Sequence, residues 1–407
     1  MFGALRLPDT ILFGPGKRRA LGAAAARLGR RALVCTDSRL SAQPEFAEAL
    51  EGLRAAGLEV HVYDRTIPDL PIECIEDCAK EAARFSPELV IGLGGGSCMD
   101  LAKLVAVVLA HGGPVSRYYG EFAVPGPVLP LVAVPTTAGT GSEVTPVAVV
   151  MDSGRGLKIG VASPHIIPRL AICDPSLTMT CPPRLTACSG ADALAHAVEA
   201  FTGKRRPDDP LLTEQQVFVG KNVLSDHFAR LAVAHVFRFL TRACRDGDDT
   251  EAREGLMLAS LAAGCAFGTA GTAAAHALQY PVGNLTHTAH GDGVGALLPY
   301  VMQFNRSACA ADLADLAGVI GLGEAGMDAD ERSQLFVDAV AELFASVGVP
   351  RTLAELGLAT GPDEEIETGA LNAERLVKNN PRALDLAGML AITRAAFTGD
   401  RAALLNA

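Results

Sequence analysis

Leu89-Val90-Ile91-Gly92-Leu93 passes directly into Gly94-Gly95-Gly96-Ser97-Cys98-Met99-Asp100-Leu101-Ala102-Lys103, and the reading of this handover decides the fold. An apolar run of strand length meets three consecutive glycines and then a helical pattern, which predicts a buried strand, a tight loop and a helix start. The glycines permit positive φ and let backbone N–H groups approach a ligand closely, while the helix N-terminus adds roughly half a positive charge. A pyrophosphate suits such a loop. The competing reading is an ordinary helix start in which Ser97 and Asp100 form a capping box. The spacing is not Gly-x-Gly-x-x-Gly, so the loop alone does not indicate the usual dinucleotide fold.

Outward from this loop, Ala32–Thr36, Glu59–Tyr63, Pro130–Val134, Val147–Met151 and Leu170–Cys173 read as further strands. Helical patterns over Ala42–Ala56 and Ile75–Phe85 separate the first of them, a rhythm that predicts a parallel sheet covered on both faces. After about Thr178 the texture changes. Leu185–Phe201, Gln215–Ala243, Thr250–Ala277, Cys309–Ala317 and Arg332–Val347 carry apolar residues at helical spacing, with Gly203–Pro210 as a loop. The expected architecture is an α/β domain over 1–180 followed by an all-α domain over 181–407, with the boundary at Cys181-Pro182-Pro183.

The 407 residues are enough for two to three domains with a real core. A net charge of -11 disfavours a nucleic-acid partner. Met1–Thr10 lacks the basic and apolar regions of a signal peptide, and stretches such as Leu101–Ala110 are shorter than the ~20 residues that cross a bilayer. The 10 cysteines are scattered without a CxxC pair, which reads as reduced thiols in a cytoplasmic protein, with no membrane partner.

A second small-residue loop, Pro135-Thr136-Thr137-Ala138-Gly139-Thr140-Gly141-Ser142-Glu143-Val144-Thr145, also follows a strand. Its hydroxyls and amides suit phosphate, ribose or an amide-bearing ring; read alone, it is a polar surface loop. Asp37 ends the strand Ala32–Thr36. A carboxylate there accepts hydrogen bonds from a ribose 2′-OH and repels a 2′-phosphate, favouring NAD over NADP; an N-cap is the equal alternative.

In the helical half, Asp192 and His196 stand at i and i+4 in Gly190-Ala191-Asp192-Ala193-Leu194-Ala195-His196, which stacks both side chains on one helix face. His276 lies among small residues and His290 precedes Gly291. One carboxylate and up to three imidazoles form a set suited to Fe(II) or Zn(II), and not to calcium. Singly, each histidine reads as structural, and Asp192 with His196 as a helix-surface pair. Together, a nucleotide loop and a Lewis-acid metal suggest hydride transfer across a cleft.

These segments, with Gly94–Lys103, Pro135–Thr145, Gly190–Phe201, His276–Gly283, His290–Asn305 and Asn379-Asn380-Pro381-Arg382, resemble the iron-containing (group III) alcohol dehydrogenase family over nearly the whole chain. The resemblance implies an N-terminal dinucleotide-binding domain, a C-terminal helical metal and substrate domain, and a homodimer or higher homo-oligomer. It implies metal ligands at Asp192, His196, His276 and His290. It implies cofactor contacts at Asp37, Gly95, Gly96, Ser97, Asp100, Thr136, Thr137, Thr140, Lys158 and Leu177. Lys158, read without it, is a solvated surface charge.

Two departures stand out. Many members carry a second histidine four residues after the third ligand; here that position is Tyr280, whose hydroxyl is a poor proton acceptor near neutral pH, its ordinary pKa being about 10. His287, three residues before a ligand, is the candidate substitute as relay or as a partner behind the ligand; the competing reading is a plain loop histidine. Pro68-Asp69-Leu70-Pro71 replaces an Asn-Pro that members often place after the second strand. The implied activity is a metal-dependent, NAD-linked dehydrogenase or aldehyde reductase for a small alcohol or aldehyde. The alternatives are a hydroxyacid-oxoacid transhydrogenase with tightly held nicotinamide, a dehydroquinate synthase-like lyase, disfavoured by the apolar flanks of the metal motifs, and a non-catalytic nucleotide-binding regulator.

Overall fold

The computed structural model describes residues 2–207, 209–359, 361 and 364–405. They form two compact units. One comprises Arg6–Thr180 with Leu211–Val217; the other comprises residues 2–5, Cys181–Pro210 and the chain from Phe218 onward.

The first unit holds nine strands: β1 (Thr10–Phe13), β2 (Arg31–Cys35), β3 (Glu59–Tyr63), β4 (Leu89–Gly94), β5 (Gly120–Glu121), β6 (Leu131–Pro135), β7 (Val147–Asp152), β8 (Leu157–Ala162) and β9 (Leu170–Cys173). Six make one sheet in the order β1-β9-β6-β4-β2-β3, and every pairing in it is parallel. Alternation along the strands sorts the core. Leu33, Cys35 and Val90 pack with helices Ile72–Phe85 and Gly96–His111, whereas Ala32, Val34, Leu89, Ile91 and Leu93 pack with Leu21, Phe46 and Leu53 on the opposite face. The chain steps outward from β2 to β3 and then returns past β2 to β4. The carboxyl ends of β2 and β4 therefore flank a reversal of strand order, the place where open α/β sheets bind ligands.

Strands β7 and β8 pair antiparallel, and β5 adds to β8. Neither β1 nor β8 is expected from the sequence reading. In β8, Leu157, Ile159 and Val161 alternate with Lys158 and Gly160 as a half-buried strand requires, a pattern the sequence reading passed over.

The second unit is helical. Its long helices are Pro183–Thr202, Val223–Arg245, Thr250–Ala270, Ala274–Thr286, His290–Val319, Ala329–Ser346 and Leu386–Thr398. Three differ from the sequence reading. Gln216–Lys221 is not helical, and the helix that follows starts where Asn222 and Ser225 form a capping box. The expected helix over Thr250–Ala277 breaks at Gly271 (φ 84°), and its halves meet at 104°. Ala and Gly continue the apolar pattern through the break, so periodicity cannot reveal it. His290–Val319 is two helices joined across a kink at Cys309 (φ -138°, ψ 27°): the expected Cys309–Ala317 pattern falls on the second, and the first, which begins at His290, is not expected from the sequence reading. Among the described residues, no single helix is long and apolar enough to cross a membrane.

Candidate nucleotide loop and metal centre

At the end of β4, helix Gly96–His111 starts on Gly95 without a side-chain cap, so Ser97 and Asp100 do not form the capping box. The helix leans hard on its strand: a methyl group at Gly92 would lie 2.8 Å from Met99 Cα. The second loop packs on the first. A methyl at Gly96 would lie 2.7 Å from Thr140 Cγ2, one at Gly95 would lie 3.7 Å from Thr137 Oγ1, and the Thr136 N–H donates to the Gly94 carbonyl at 3.0 Å. Thr136 is buried, while Gly95, Gly96, Ser97, Thr137 and Thr140 are half-buried.

Asp100 faces the second loop. Its Oδ1 accepts from the Ser142 hydroxyl at 2.6 Å and its Oδ2 from the Val149 N–H at 2.9 Å. One turn on, buried Lys103 donates to Ser142 Oγ (2.9 Å), the Thr145 carbonyl (3.0 Å) and the Val147 carbonyl (2.8 Å). Burial pushes Lys103 down to about 8 against the pull of Asp100 and Glu143. Burial likewise pushes Glu143 up to about 7, opposed by its own N–H and by Lys103, and Glu143 Oε1 has no hydrogen-bond partner among the described residues. Lys103 and Glu143 are thus the buried frame of the two loops. The sequence signal for the first was a lone lysine inside an apolar helix run.

Asp37 follows β2 and takes the N-cap role. Oδ1 caps helix Ser38–Ser41 by accepting from the Leu40 N–H at 2.8 Å, while Oδ2 lies 3.9 Å from Cys98 Sγ, next to the glycine loop. Lys158 is not a solvated charge. Its side chain is 5% exposed and its ammonium sits 2.6 Å from Asp69 Oδ1, in a turn where Asp69 itself has φ 63°. The departure from Asn-Pro thus supplies a carboxylate to this lysine. Leu177 lies on the one-turn helix Pro175–Thr178 and packs into the core with Leu93 and Val134.

In the helical unit, Asp192 and His196 share helix Pro183–Thr202, His276 lies near the start of Ala274–Thr286, and His290 opens His290–Val319. The three Nε2 atoms converge on Asp192 Oδ1: His276 at 3.6 Å, His290 at 3.7 Å and His196 at 3.8 Å. Ligand atoms of Asp192, His276 and His290 all lie within 4.8 Å of one another. His196 stacks on Phe267 at 4.0 Å and on His276 at 4.6 Å between ring centroids. Asp192, His196 and His276 side chains are 5–7% exposed and that of His290 is 32%, so the cluster opens on the His290 side.

Burial alone would raise the Asp192 carboxyl, but His196, His290 and His276 outweigh it and hold the group below the ordinary carboxylate range. For His276, burial works against the proton, yet Glu199 and Asp192 lift it to about 9. The donor set fits a divalent cation. Among the described residues Asp192 Oδ1 and His276 Nε2 are buried without a hydrogen-bond partner, and one carboxylate with imidazoles is chemistry that Fe(II) and Zn(II) accept.

Two further residues frame this cluster. Glu199, buried, meets His276 Nδ1 at 2.6 Å. Asn379 donates from Nδ2 to the Ala270 and Thr272 carbonyls, each at 3.1 Å, on either side of the helix break. Asn379 was visible only as part of a motif, and Glu199 as a helical glutamate. Tyr280 lies one turn after His276 on the same helix face and is half-buried. His287 is exposed on the left-handed C-cap of that helix (φ 52°), and its imidazole has no hydrogen-bond partner among the described residues.

Residues 8–175 match the iron-containing alcohol dehydrogenase family, and residues 212–397 match its C-terminal domain. The chain is 37% identical to long-chain-alcohol dehydrogenase 1 of Geobacillus thermodenitrificans over 92% of its own length and 91% of that protein. It is 32% identical to an NAD-dependent methanol dehydrogenase of Bacillus methanolicus, covering 92% and 95% of the two chains. Among solved structures, a 1,3-propanediol oxidoreductase superposes with a TM-score of 0.91 at 31% identity, over 98% of this chain and 100% of that one. Sulfoacetaldehyde reductase from Bifidobacterium kashiwanohense, solved with NAD+, superposes with a TM-score of 0.80 at 28% identity, over 97% and 99%. The fold and the relatives are those of an oxidoreductase of the alcohol dehydrogenase class. The chain belongs to the iron-containing alcohol dehydrogenase family.

Proposed function

We propose that this protein is an NAD-linked, divalent-metal-dependent dehydrogenase or aldehyde reductase acting on a small, weakly charged alcohol or aldehyde. The observation that carries the reading is the convergence of three imidazole nitrogens on one buried carboxylate oxygen at 3.6 to 3.8 Å. Asp192, His196, His276 and His290 would hold the metal. When bound, the metal supplies Lewis acidity that eases loss of the alcohol proton or polarises the carbonyl, and the nicotinamide exchanges hydride with the substrate carbon.

The remaining work falls to the chain's own groups. Gly95, Gly96 and Ser97 offer backbone amides at a helix N-terminus to the pyrophosphate. Asp37 retains Oδ2 for a ribose hydroxyl and repels a 2′-phosphate, which selects NAD. Asp100 and Lys103 hold the loop bearing Thr136, Thr137 and Thr140 against the glycines, while Lys158 and Leu177 border the cofactor. Tyr280 orients substrate through its hydroxyl from the His276 face, and His287 serves as an exposed proton carrier. All ten cysteines are free, in keeping with a cytoplasmic enzyme. Family likeness supports a homo-oligomer.

The test is a screen of alcohols, hydroxy acids and aldehydes with NAD and NADP on protein stripped of metal and reloaded with Fe(II) or Zn(II). Metal-restored, NAD-dependent turnover is expected; equal turnover by stripped protein sinks the reading. Tyr280, in place of a histidine, favours one second reading, the hydroxyacid-oxoacid transhydrogenase. That enzyme would need an oxoacid acceptor and no added nucleotide.

A further inference from the structure

We propose that Glu199 is a positioning residue that fixes the tautomer of His276 and ties it to the start of the helix carrying that histidine. The inference rests on the metal centre proposed above. Asp192, His196 and Glu199 stand at i, i+4 and i+7 on helix Pro183–Thr202, so one helix face presents all three. Glu199 is 2% exposed and accepts three contacts: the Ala273 N–H on Oε2 at 2.8 Å, the Ala275 N–H on Oε1 at 2.7 Å and His276 Nδ1 on Oε2 at 2.6 Å.

The chemistry of these partners decides where the proton sits. Backbone N–H groups only donate, and an ionised carboxylate only accepts. With both oxygens engaged by amides, His276 Nδ1 must be the third donor. Nε2, 3.6 Å from Asp192 Oδ1, is then the one ring nitrogen left to turn a lone pair to a metal once it gives up any proton it carries.

The same carboxylate has a second duty. Helix Ala274–Thr286 starts without a side-chain cap from its own N-cap residue, Ala273, so its first amides need outside acceptors. Glu199 takes two of them from the opposite wall of the 104° corner, and Asn379 takes the carbonyls of Ala270 and Thr272. Ring orientation and helix start are thereby set by one group, so a change at Glu199 reaches the metal through His276.

Glu199→Gln separates the roles. The amide carries no charge and has one acceptor oxygen for three donors, so whichever way it turns at least one of Ala273 N–H, Ala275 N–H and His276 Nδ1 faces an N–H and the hold on the His276 ring weakens. Stripped protein is titrated with Zn(II) against a chromophoric chelator and with Co(II) by visible absorption. The expected result is metal affinity weaker by roughly 10- to 100-fold with an altered Co(II) spectrum. Asn379→Ala loosens the same corner without touching His276, so it should lower the melting temperature and leave the Co(II) spectrum at wild type.

Glu199→Gln protein with wild-type affinity and spectrum overturns the role of Glu199 alone. Wild-type protein that binds neither ion overturns the metal centre itself. Should Glu199→Gln fail to fold, zinc-loaded wild type labelled with ¹⁵N-histidine gives the answer, with the His276 resonance assigned by its loss in His276→Asn. A proton on Nδ1 is expected, and a proton on Nε2 overturns the proposal.

Discussion

Replacing Glu143 by glutamine should stabilise the α/β unit at alkaline pH and do little at acid pH. Glu143 lies in the loop that packs on the glycines, fully buried, with one carboxyl oxygen unpartnered and Lys103 nearby. Burial raises its pKa from an ordinary 4.5 to about 7. The folded state therefore binds more protons than the unfolded state between these values, and wild-type stability declines as pH rises through that window. At 1.36 kcal/mol per pKa unit the full penalty is about 3 kcal/mol, and about 2.5 kcal/mol of it develops between pH 5 and pH 8.

Glutamine has the same shape and never ionises, so the variant escapes the pH-dependent part while sharing the burden of burying a polar group. For a unit of this size, 1 kcal/mol moves the melting temperature by roughly 2–4 °C, which places the expected gain near 5–10 °C larger at pH 8 than at pH 5. Thermal unfolding of both proteins at both pH values measures that difference of differences, in which effects common to the two proteins cancel. A shift that is the same at both pH values would refute the argument, because it would mean that Glu143 is ionised in the folded protein throughout.

Three other outcomes follow from the geometry. Gly92→Ala places a methyl 2.8 Å from Met99 Cα and should destabilise the fold by about 1–3 kcal/mol, read as a lower melting temperature. Asp192→Asn removes the charge on which three imidazoles converge, and elemental analysis of the purified variant should find little bound metal where the wild type is loaded. Asp37→Ala should weaken NAD binding by roughly tenfold and narrow the gap to NADP, as followed by nucleotide fluorescence, with about 1 kcal/mol of stability lost through the helix cap.

How much of this was readable beforehand depends on the distance between partners along the chain. β4, its glycine turn and the helix after it are contiguous, so local patterns suffice. Asp192 and His196 are one helical turn apart and were legible as a pair. That His276 and His290 join them is tertiary information: residue chemistry made them candidates, and the family resemblance, not spacing, made them a full ligand set. Glu199 stands in Ala-Val-Glu-Ala-Phe, where a glutamate reads as a solvated helix charge until the Ala273 and Ala275 amides are seen above it. Lys158 failed in the same way, because Asp69, its partner, lies on a distant turn. The break at Gly271 was hidden because small apolar residues satisfy a straight helix and a bent one equally well.

That bend also orders events in time. The carbonyls of Ala270 and Thr272 find their donor in Asn379, 109 and 107 residues further along. A ribosome exposes Asp192 and His196 first, then His276 and His290, and Asn379 only after all four. Until then the corner that carries His276 lacks this donor. A chain cut before Asn379 would carry all four side chains of the cluster yet leave the Ala270 and Thr272 carbonyls without this donor.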